Sequence, residues 1–211
     1  MYAVIFTMIN SKKIPKTIQI KRKDFIINQI KDKSVMHIGC TGGLLGEENE
    51  LEHINNYNKL EDTHYLFSKS AKEISGIDIS KKKIDFLKSQ DFENLYVADI
   101  CDPNFNLEKK YDIILFPNII EHLSNVGLAL QNIKKMMKED SHLIITTNNA
   151  FDILVVLKLL FNYESVHSEH TSYYSYSTMK RSLEMSDLCI ENFYYAYNEK
   201  KWAIKKNLPQ Y

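Results

Sequence analysis

Glycine is scarce. The 211-residue chain has six, where average usage of roughly 7% would give about fifteen. Four of the six, Gly39, Gly42, Gly43 and Gly46, fall within one short stretch, so glycine is concentrated where the backbone must bend tightly or meet a ligand closely. Cysteine is scarce too. Cys40, Cys101 and Cys189 are odd in number, far apart and without a CxxC pair, which argues against a disulfide framework or a zinc knuckle and for a reducing compartment. Excess charge is absent, with 27 Lys+Arg against 27 Asp+Glu, so nucleic acid and anionic membrane are disfavoured as partners. Long apolar runs are missing: residues 1–9 are too few to span a bilayer and lack the order of a signal peptide. The expectation is a cytoplasmic protein with no membrane span. At 44% hydrophobic and 26% charged, the composition is that of an ordinary globular chain, and the length suits a single domain.

What is present is an alternation of short apolar runs and helical patterns. Residues 34–39 read as a buried strand ending at glycine, and residues 71–79 end in another. Ser80 can cap a helix starting at Lys81, with Ile84, Phe86 and Leu87 at helical spacing. Residues 94–100 and 111–116 read as the third and fourth strands, the latter stopped by Pro117. Residues 119–138 predict one long amphipathic helix, and 141–147 a fifth strand. Strands that are apolar almost throughout indicate a parallel sheet covered by helices on both faces.

Two flanking stretches are charged: 11–33 carries eight Lys/Arg against two Asp, and 44–65 six Asp/Glu against one Lys. Both read as solvated faces. The longer segment 47–70 adds a helix over the first turn. In the last third, 151–160 predicts a very apolar helix, either buried in the domain or serving as a homodimer contact or lid. Residues 163–176 are rich in Tyr, Ser and His. A helix over 178–185, a strand over 189–197 and an edge strand over 201–204 follow. The division is an N-terminal helical or lid segment (1–33), a cofactor-binding core (34–150) and substrate-side elements (151–211).

The first strand-to-helix turn of such a sheet is where glycine meets a ligand. Counting from Gly39, a dinucleotide fingerprint needs glycine at 41 and 44, where this chain has Thr41 and Leu44. No Gly-Lys-Ser/Thr follows, so a Walker-A loop fails as well. The acids suit another nucleoside. Asp78, at the end of the second strand, can accept both ribose hydroxyls, and Asp99, at the end of the third, can reach an adenine amino group.

The stretches VMHIGCTGG (35–43), ISGIDIS (74–80), YVADI (96–100), YDIILFPNIIEHL (111–123) and HLIITTNNA (142–150) resemble, in order, a class I S-adenosylmethionine-dependent methyltransferase. The Glu121-His122 step after the fourth strand is typical of the branch containing the ubiquinone-biosynthesis and glycan-modifying O-methyltransferases. The resemblance implies a Rossmann-like, seven-stranded, mostly parallel sheet with an antiparallel last strand. It implies S-adenosyl-L-methionine as cofactor, held by His37, Gly39, Cys40, Thr41, Gly42, Asp78, Ile79, Asp99, Ile100, Pro117 and Asn118. Two positions depart from the family: Thr41 replaces a glycine, and His37 replaces an acid.

For the chemistry, Asn118, Glu121 and His122 sit at helical spacings that share a face. His122 is a candidate base, with Glu121 and His170 as further catalytic candidates. Glu121 and His122 with a tail His, His170 or His167, would also suit a divalent cation. Small-RNA 3′-terminal 2′-O-methyltransferases, which this motif resembles, hold magnesium with E-x-x-E-H and a distant His; here Asn118 stands where they have the first Glu. Tyr173, Tyr174 and Tyr176 are candidates for a substrate wall. Three readings follow: O-methylation of a small hydroxylated acceptor such as a sugar or glycan precursor, an RNA-terminal methyltransferase, and a non-catalytic binding subunit of the same fold.

Overall fold

A computed structural model describes residues 14–15, 18–42, 47–164 and 166–197. The chain enters through a short strand, β1 (Gln19–Lys21), and a helix, α1 (Arg22–Ile30), that turns Ile26 and Ile30 inward. β2 (Ser34–Ile38) is buried at every residue. Then come α2 (Glu47–Asn55) and α3 (Thr63–Ser68). Next are β3 (Glu73–Asp78), α4 (Lys81–Ser89), β4 (Leu95–Val97) and β5 (Tyr111–Pro117). After a single 3-10 turn at Ile120–His122 follow α5 (Val126–Lys135), β6 (Met137–Thr146), α6 (Ile153–Leu159), α7 (Tyr176–Glu184) and β7 (Tyr195–Tyr197).

The main sheet has five strands in the order β4-β3-β2-β5-β6, and every pairing is parallel. Successive residues of β2 serve opposite faces, as the pleat requires. Val35 joins Ile26, Ile30 and Phe67 in a core beneath α1 and α3. Met36 and Ile38 join Leu130, Ile133 and Leu183 beneath α5 and α7. This is why the strand reads as a continuous apolar run. The order reverses at β2, between β3 on one side and β5 on the other, which makes the mouth between β2 and β5 the topological switch point.

The expected seven strands are corrected to five in the main sheet plus a separate two-stranded ribbon, β1-β7. β7 is not antiparallel: it pairs in parallel with β1. The stretch 189–194 lies near β6 through side chains, His142 Nε2 facing Glu191 Oε2 at 3.1 Å, and forms no backbone ladder there. The edge strand expected over 201–204 lies outside the described residues, as do Gly43 and Gly46.

The predicted helix 119–138 is also broken. Leu123 is extended (φ −81, ψ 137), and the Asn125 side chain caps α5 afresh by accepting from the Leu128 N–H at 3.1 Å. Met137 belongs to β6. The Ser80 cap holds as expected, its hydroxyl accepting from the Lys83 N–H at 3.2 Å. The segment 47–70 supplies two helices rather than one. The helix predicted over 151–160 forms as α6 but buries none of its residues. Ile153, Leu154, Leu157 and Leu159 are all more than two-fifths exposed. Among the described residues no helix is long and apolar enough to cross a membrane.

Candidate functional site

The turn after β2 is shaped by sterics that only glycine meets. Gly39 has φ +70, and a Cβ there would lie 2.3 Å from Ile119 Cδ1. The loop therefore presses directly against the chain leaving β5. Cys40 points downward, 1% exposed, into space that Gly76 leaves free: a Cβ on Gly76 would stand 2.6 Å from the Cys40 sulfur. Burial raises the Cys40 thiol well above its ordinary value. Its side chain packs beneath the loop and offers nothing to a ligand above it.

Thr41 occupies the family's middle glycine position and is put to use. Its N–H and hydroxyl both donate to Asp78 Oδ2, at 3.2 and 2.7 Å. The Ser80 N–H donates to Oδ1 at 3.0 Å. The ribose candidate Asp78 is thus locked to the loop it serves. At Gly42 (φ +60) a Cβ would meet nothing within 4 Å, so the outer side of the loop is open. Lys83, 1% exposed, donates from Nζ to the Gly42 carbonyl at 2.9 Å. Burial lowers that amine, against the pull of Asp78, Glu50 and Glu169. Glu50 of α2 accepts from the Ser80 hydroxyl, which brings the inserted helix over this edge. An open glycine turn, a carboxylate held at its side and the exposed side chain of Ile79 fit a nucleoside-bearing cofactor.

Other expected cofactor residues stand differently. Asp99 does not end a strand: β4 stops at Val97, and Asp99 Oδ1 accepts from the Cys101 N–H at 2.7 Å in the following turn. Ile100 is core, 4% exposed. Pro117 closes β5, half-buried. Asn118 adopts φ +53, a left-handed conformation that asparagine tolerates better than most residues. Its N–H donates to the Thr146 carbonyl at 2.7 Å, and its side-chain oxygen accepts from the Thr146 hydroxyl at 2.8 Å. Asn118 therefore turns to β6 and does not share a helical face with Glu121 and His122. His37 is 2% exposed and meets His64, Nδ1 to Nδ1 at 3.1 Å. One ring donates and the other accepts. Burial lowers both, His37 well below its ordinary value and His64 to about 4. The pair is neutral and packed against Phe67 and Phe92.

Across the switch point, the 3-10 turn after β5 and the tail build a second cluster. Thr171 and Ser172 donate backbone N–H groups to the Glu121 carbonyl at 2.8 and 3.2 Å. The Thr171 hydroxyl reaches Leu123 O at 2.8 Å. This docking sets the His170 ring 4.7 Å from that of His122, edge to face, with His167 5.2 Å beyond. Glu121 is 1% exposed. Asn148 Nδ2 stands 3.4 Å from its Oε1. Among the described residues its Oε2 is buried without a hydrogen-bond partner, as are His170 Nδ1 and Thr147 Oγ1. Burial and the neighbouring His122 lower the His170 imidazole. Glu169 Oε2 stands 3.9 Å from His122 Nδ1. Tyr173 borders the cluster, 6.1 Å from His170 between ring centres, and Tyr174 lies close enough to Glu121 to feel its charge. Tyr174 is core at 9% exposure, and Tyr176 packs on Phe193.

Sequence reasoning missed Lys83, Glu50, His64, Asn148 and Glu169. Lys83 had a signal, since it is the third residue after a strand-end Ser cap beside a glycine turn. Glu50 and His64 come from the inserted segment and Glu169 from the tail, whose fold carries no local signature, while Asn148 lies just past β6.

Comparison with known proteins agrees with this geometry. The sequence model of the methyltransferase-domain family matches residues 14–191. The ubiquinone biosynthesis O-methyltransferase of Pelagibacter ubique is 28% identical over 134 residues, 60% of this chain and 48% of that protein. N-methyltransferase 4 of Papaver somniferum is 31% identical over 125 residues, 56% of this chain and 31% of that protein. The chain thus spans about half or less of these curated relatives. The YcgJ protein of Bacillus subtilis shares the fold, with a TM-score of 0.52 at 18% identity, over 78% of this chain and 66% of that one. The chain belongs to the class I S-adenosylmethionine-dependent methyltransferases, and S-adenosylmethionine is its cofactor.

Proposed function

We propose that this methyltransferase alkylates a hydroxyl oxygen of a small polar acceptor, a sugar or glycan precursor, in the cytoplasm. One observation carries the reading. Glu121, His122 and His170 gather at the carboxyl ends of the central strands, on the β5 side of the glycine loop, with buried polar atoms that no protein group satisfies. A hydroxyl must lose its proton as it attacks, whereas buried orphan acceptors in a merely structural site would be destabilising.

The residues divide the work by position. Gly39, Thr41 and Gly42 shape the loop, and Asp78 offers a carboxylate to ribose hydroxyls. The bound cofactor supplies an electrophilic methyl on a sulfonium. Opposite the loop, half-buried His122 takes the proton, with Glu121 and His170 beside it. Tyr173 offers an exposed ring on which a sugar face can stack. Closing these groups around an acceptor sets nucleophile and methyl in line, which is where much of the rate gain lies in such transfers.

The relatives include an N-methyltransferase, so the decisive experiment contrasts acceptor atoms. S-adenosylhomocysteine release is followed with a panel of sugars and phenols against a matched panel of amines, in the wild type and in His122→Ala. Transfer to hydroxyls that collapses in the variant supports the proposal. Transfer confined to amines, or a hydroxyl rate indifferent to His122, would sink it. The RNA-terminal alternative draws on the Glu121-His122 step and on His170 standing beside it, against the even balance of charge over the chain.

A further inference from the structure

We infer that Glu169 is the positioning residue of the proton acceptor: its carboxylate takes the Nδ1–H of His122 and leaves the Nε2 lone pair for the acceptor. The inference rests on the reading that His122 takes the proton, and it names the group that prepares His122 to do so.

A neutral imidazole carries its proton on one nitrogen, and only the other can act as a base. Which nitrogen is bare is set by the hydrogen bond that its partner nitrogen makes. Glu169 Oε2 faces His122 at Nδ1, 3.9 Å away, and both side chains are partly exposed. A movement of about 1 Å brings the two into hydrogen-bonding range, and contacts of this kind tighten when an acceptor binds. The neighbouring rings are placed differently. His167 Nδ1 accepts the Glu169 N–H at 3.3 Å, so the proton of that ring lies on Nε2. His170 Nδ1 is buried without a hydrogen-bond partner among the described residues.

Backbone contacts hold Glu169 where it stands. The His170 N–H closes a turn on the His167 carbonyl at 3.0 Å, and the Glu169 N–H bonds within that turn. Two residues further on, the Thr171 N–H docks on the carbonyl of Glu121 at 2.8 Å, one residue before the base. The segment that carries the carboxylate is therefore fastened to the segment that carries the imidazole. Glu169 also lies within electrostatic reach of Lys83, whose ammonium bonds the Gly42 carbonyl. The tail thus extends from the glycine loop to the base.

In the transfer, the hydroxyl proton passes to His122 Nε2 as the oxygen takes the methyl and the bonding pair of the sulfonium stays on sulfur. The imidazolium that results lies between the acceptor and a carboxylate, which stabilises the charge as it forms. Its proton then leaves to water.

The test labels the full chain with nitrogen-15 histidine and reads the tautomer of each ring from long-range proton–nitrogen correlations. It is run at about pH 8, where an ordinary imidazole is neutral, and the His122 signals are those lost in His122→Ala. The wild type should carry the His122 proton on Nδ1. Glu169→Leu should let that proton move to Nε2 and lower kcat for a hydroxylated acceptor by about 100-fold. KM for S-adenosylmethionine and for the acceptor should stay within about twofold, with near-ultraviolet circular dichroism unchanged. Glu169→Gln, which keeps an acceptor oxygen and loses the charge, should retain the tautomer and fall between the two in rate. An Nε2–H tautomer in the wild type, a tautomer or a rate that Glu169→Leu leaves unchanged, or a loss carried by KM alone overturns the inference. The two readings fail separately. An Nδ1–H tautomer set by Glu169 in a protein that methylates amines alone leaves the positioning and removes the hydroxyl chemistry. Hydroxyl transfer that collapses in His122→Ala and not in Glu169→Leu does the reverse.

Discussion

Two groups of histidines sit on opposite sides of the same sheet opening, and they differ in almost every physical respect. His37 and His64 are 2% and 1% exposed, bonded to one another at 3.1 Å and wedged between phenylalanines. His122, His167 and His170 are partly exposed, gathered on a turn and a tail, beside buried polar atoms that lack partners. The first group is saturated, so its rings contribute packing and hold β2 to α3. The second is unsaturated, so it has capacity for something that is not protein. Proximity to the glycine loop is not what distinguishes a working imidazole here: His37 is two residues from Gly39 and is sealed off.

The comparison can be broken most sharply at the open cluster. His122→Ala should lower kcat by about 100-fold or more, the usual range for loss of a group that handles the proton, while thermal unfolding stays within a degree or two of wild type. A large fall in melting temperature would move His122 into the structural group.

Acid should act on the sealed pair. The folded state holds His64 near 4, whereas an unfolded histidine titrates near 6.5. Between those values the unfolded chain binds more protons, so stability is complete above about pH 6.5 and falls as pH drops toward 4, by at most a few kcal/mol (about 3 for a shift of this size). His37 acts in the same direction. Urea titrations across this range should show the decline, and replacing both rings by leucine should flatten it. A double variant as acid-sensitive as wild type would show that the pair is not the cause.

On the cofactor side, Asp78→Ala should weaken S-adenosylhomocysteine binding tenfold or more, because hydrogen bonds to a charged group are worth about 1.5–3 kcal/mol. Thr41→Val separates the two roles of that carboxylate, removing its hydroxyl tie to the loop while leaving it free for ribose. Calorimetry that finds Asp78→Ala unchanged would place the nucleoside elsewhere. The smallest effect is expected far from both groups. Lys109 and Glu73 pair at 2.9 Å with each side chain more than two-fifths exposed. Lys109→Ala should change unfolding free energy by no more than about 0.5 kcal/mol.

The sheet was legible because β2, β3 and β5 are buried on both faces, and burial on both faces writes an unbroken apolar run. The glycine turn and the Ser80 cap were legible because backbone geometry restricts which residues can stand there. The break after His122 was also written locally, in Ser124-Asn125 ahead of an apolar run. It was overridden by hydrophobic spacing that continues across it by coincidence. His37 could not be assigned, since its partner lies 27 positions away on an inserted helix. Nor could the tail, which is placed by hydroxyl and backbone bonds to Glu121 and Leu123 that no periodicity encodes. The missing strands are of this kind too: the alternation at 189–197 is present, but a ladder needs a neighbour at hydrogen-bonding distance.

The parallel ribbon joining β1 to β7 bears on the order of events in folding. Among the described residues it joins three pairs, Gln19–Tyr195, Ile20–Ala196 and Lys21–Tyr197, across about 175 positions of chain, a closure whose entropy cost must be met before any contact rewards it. The ribbon therefore forms after the five-stranded sheet has already brought its two ends near, and it is the first piece to come undone. Its amides should exchange with deuterium ahead of those in β2 and β5. The tail between α6 and β7 is held independently of this clasp, by Thr171 at Glu121 and by Tyr174 and Leu183 in the main core, so the histidine cluster can assemble before the ribbon closes.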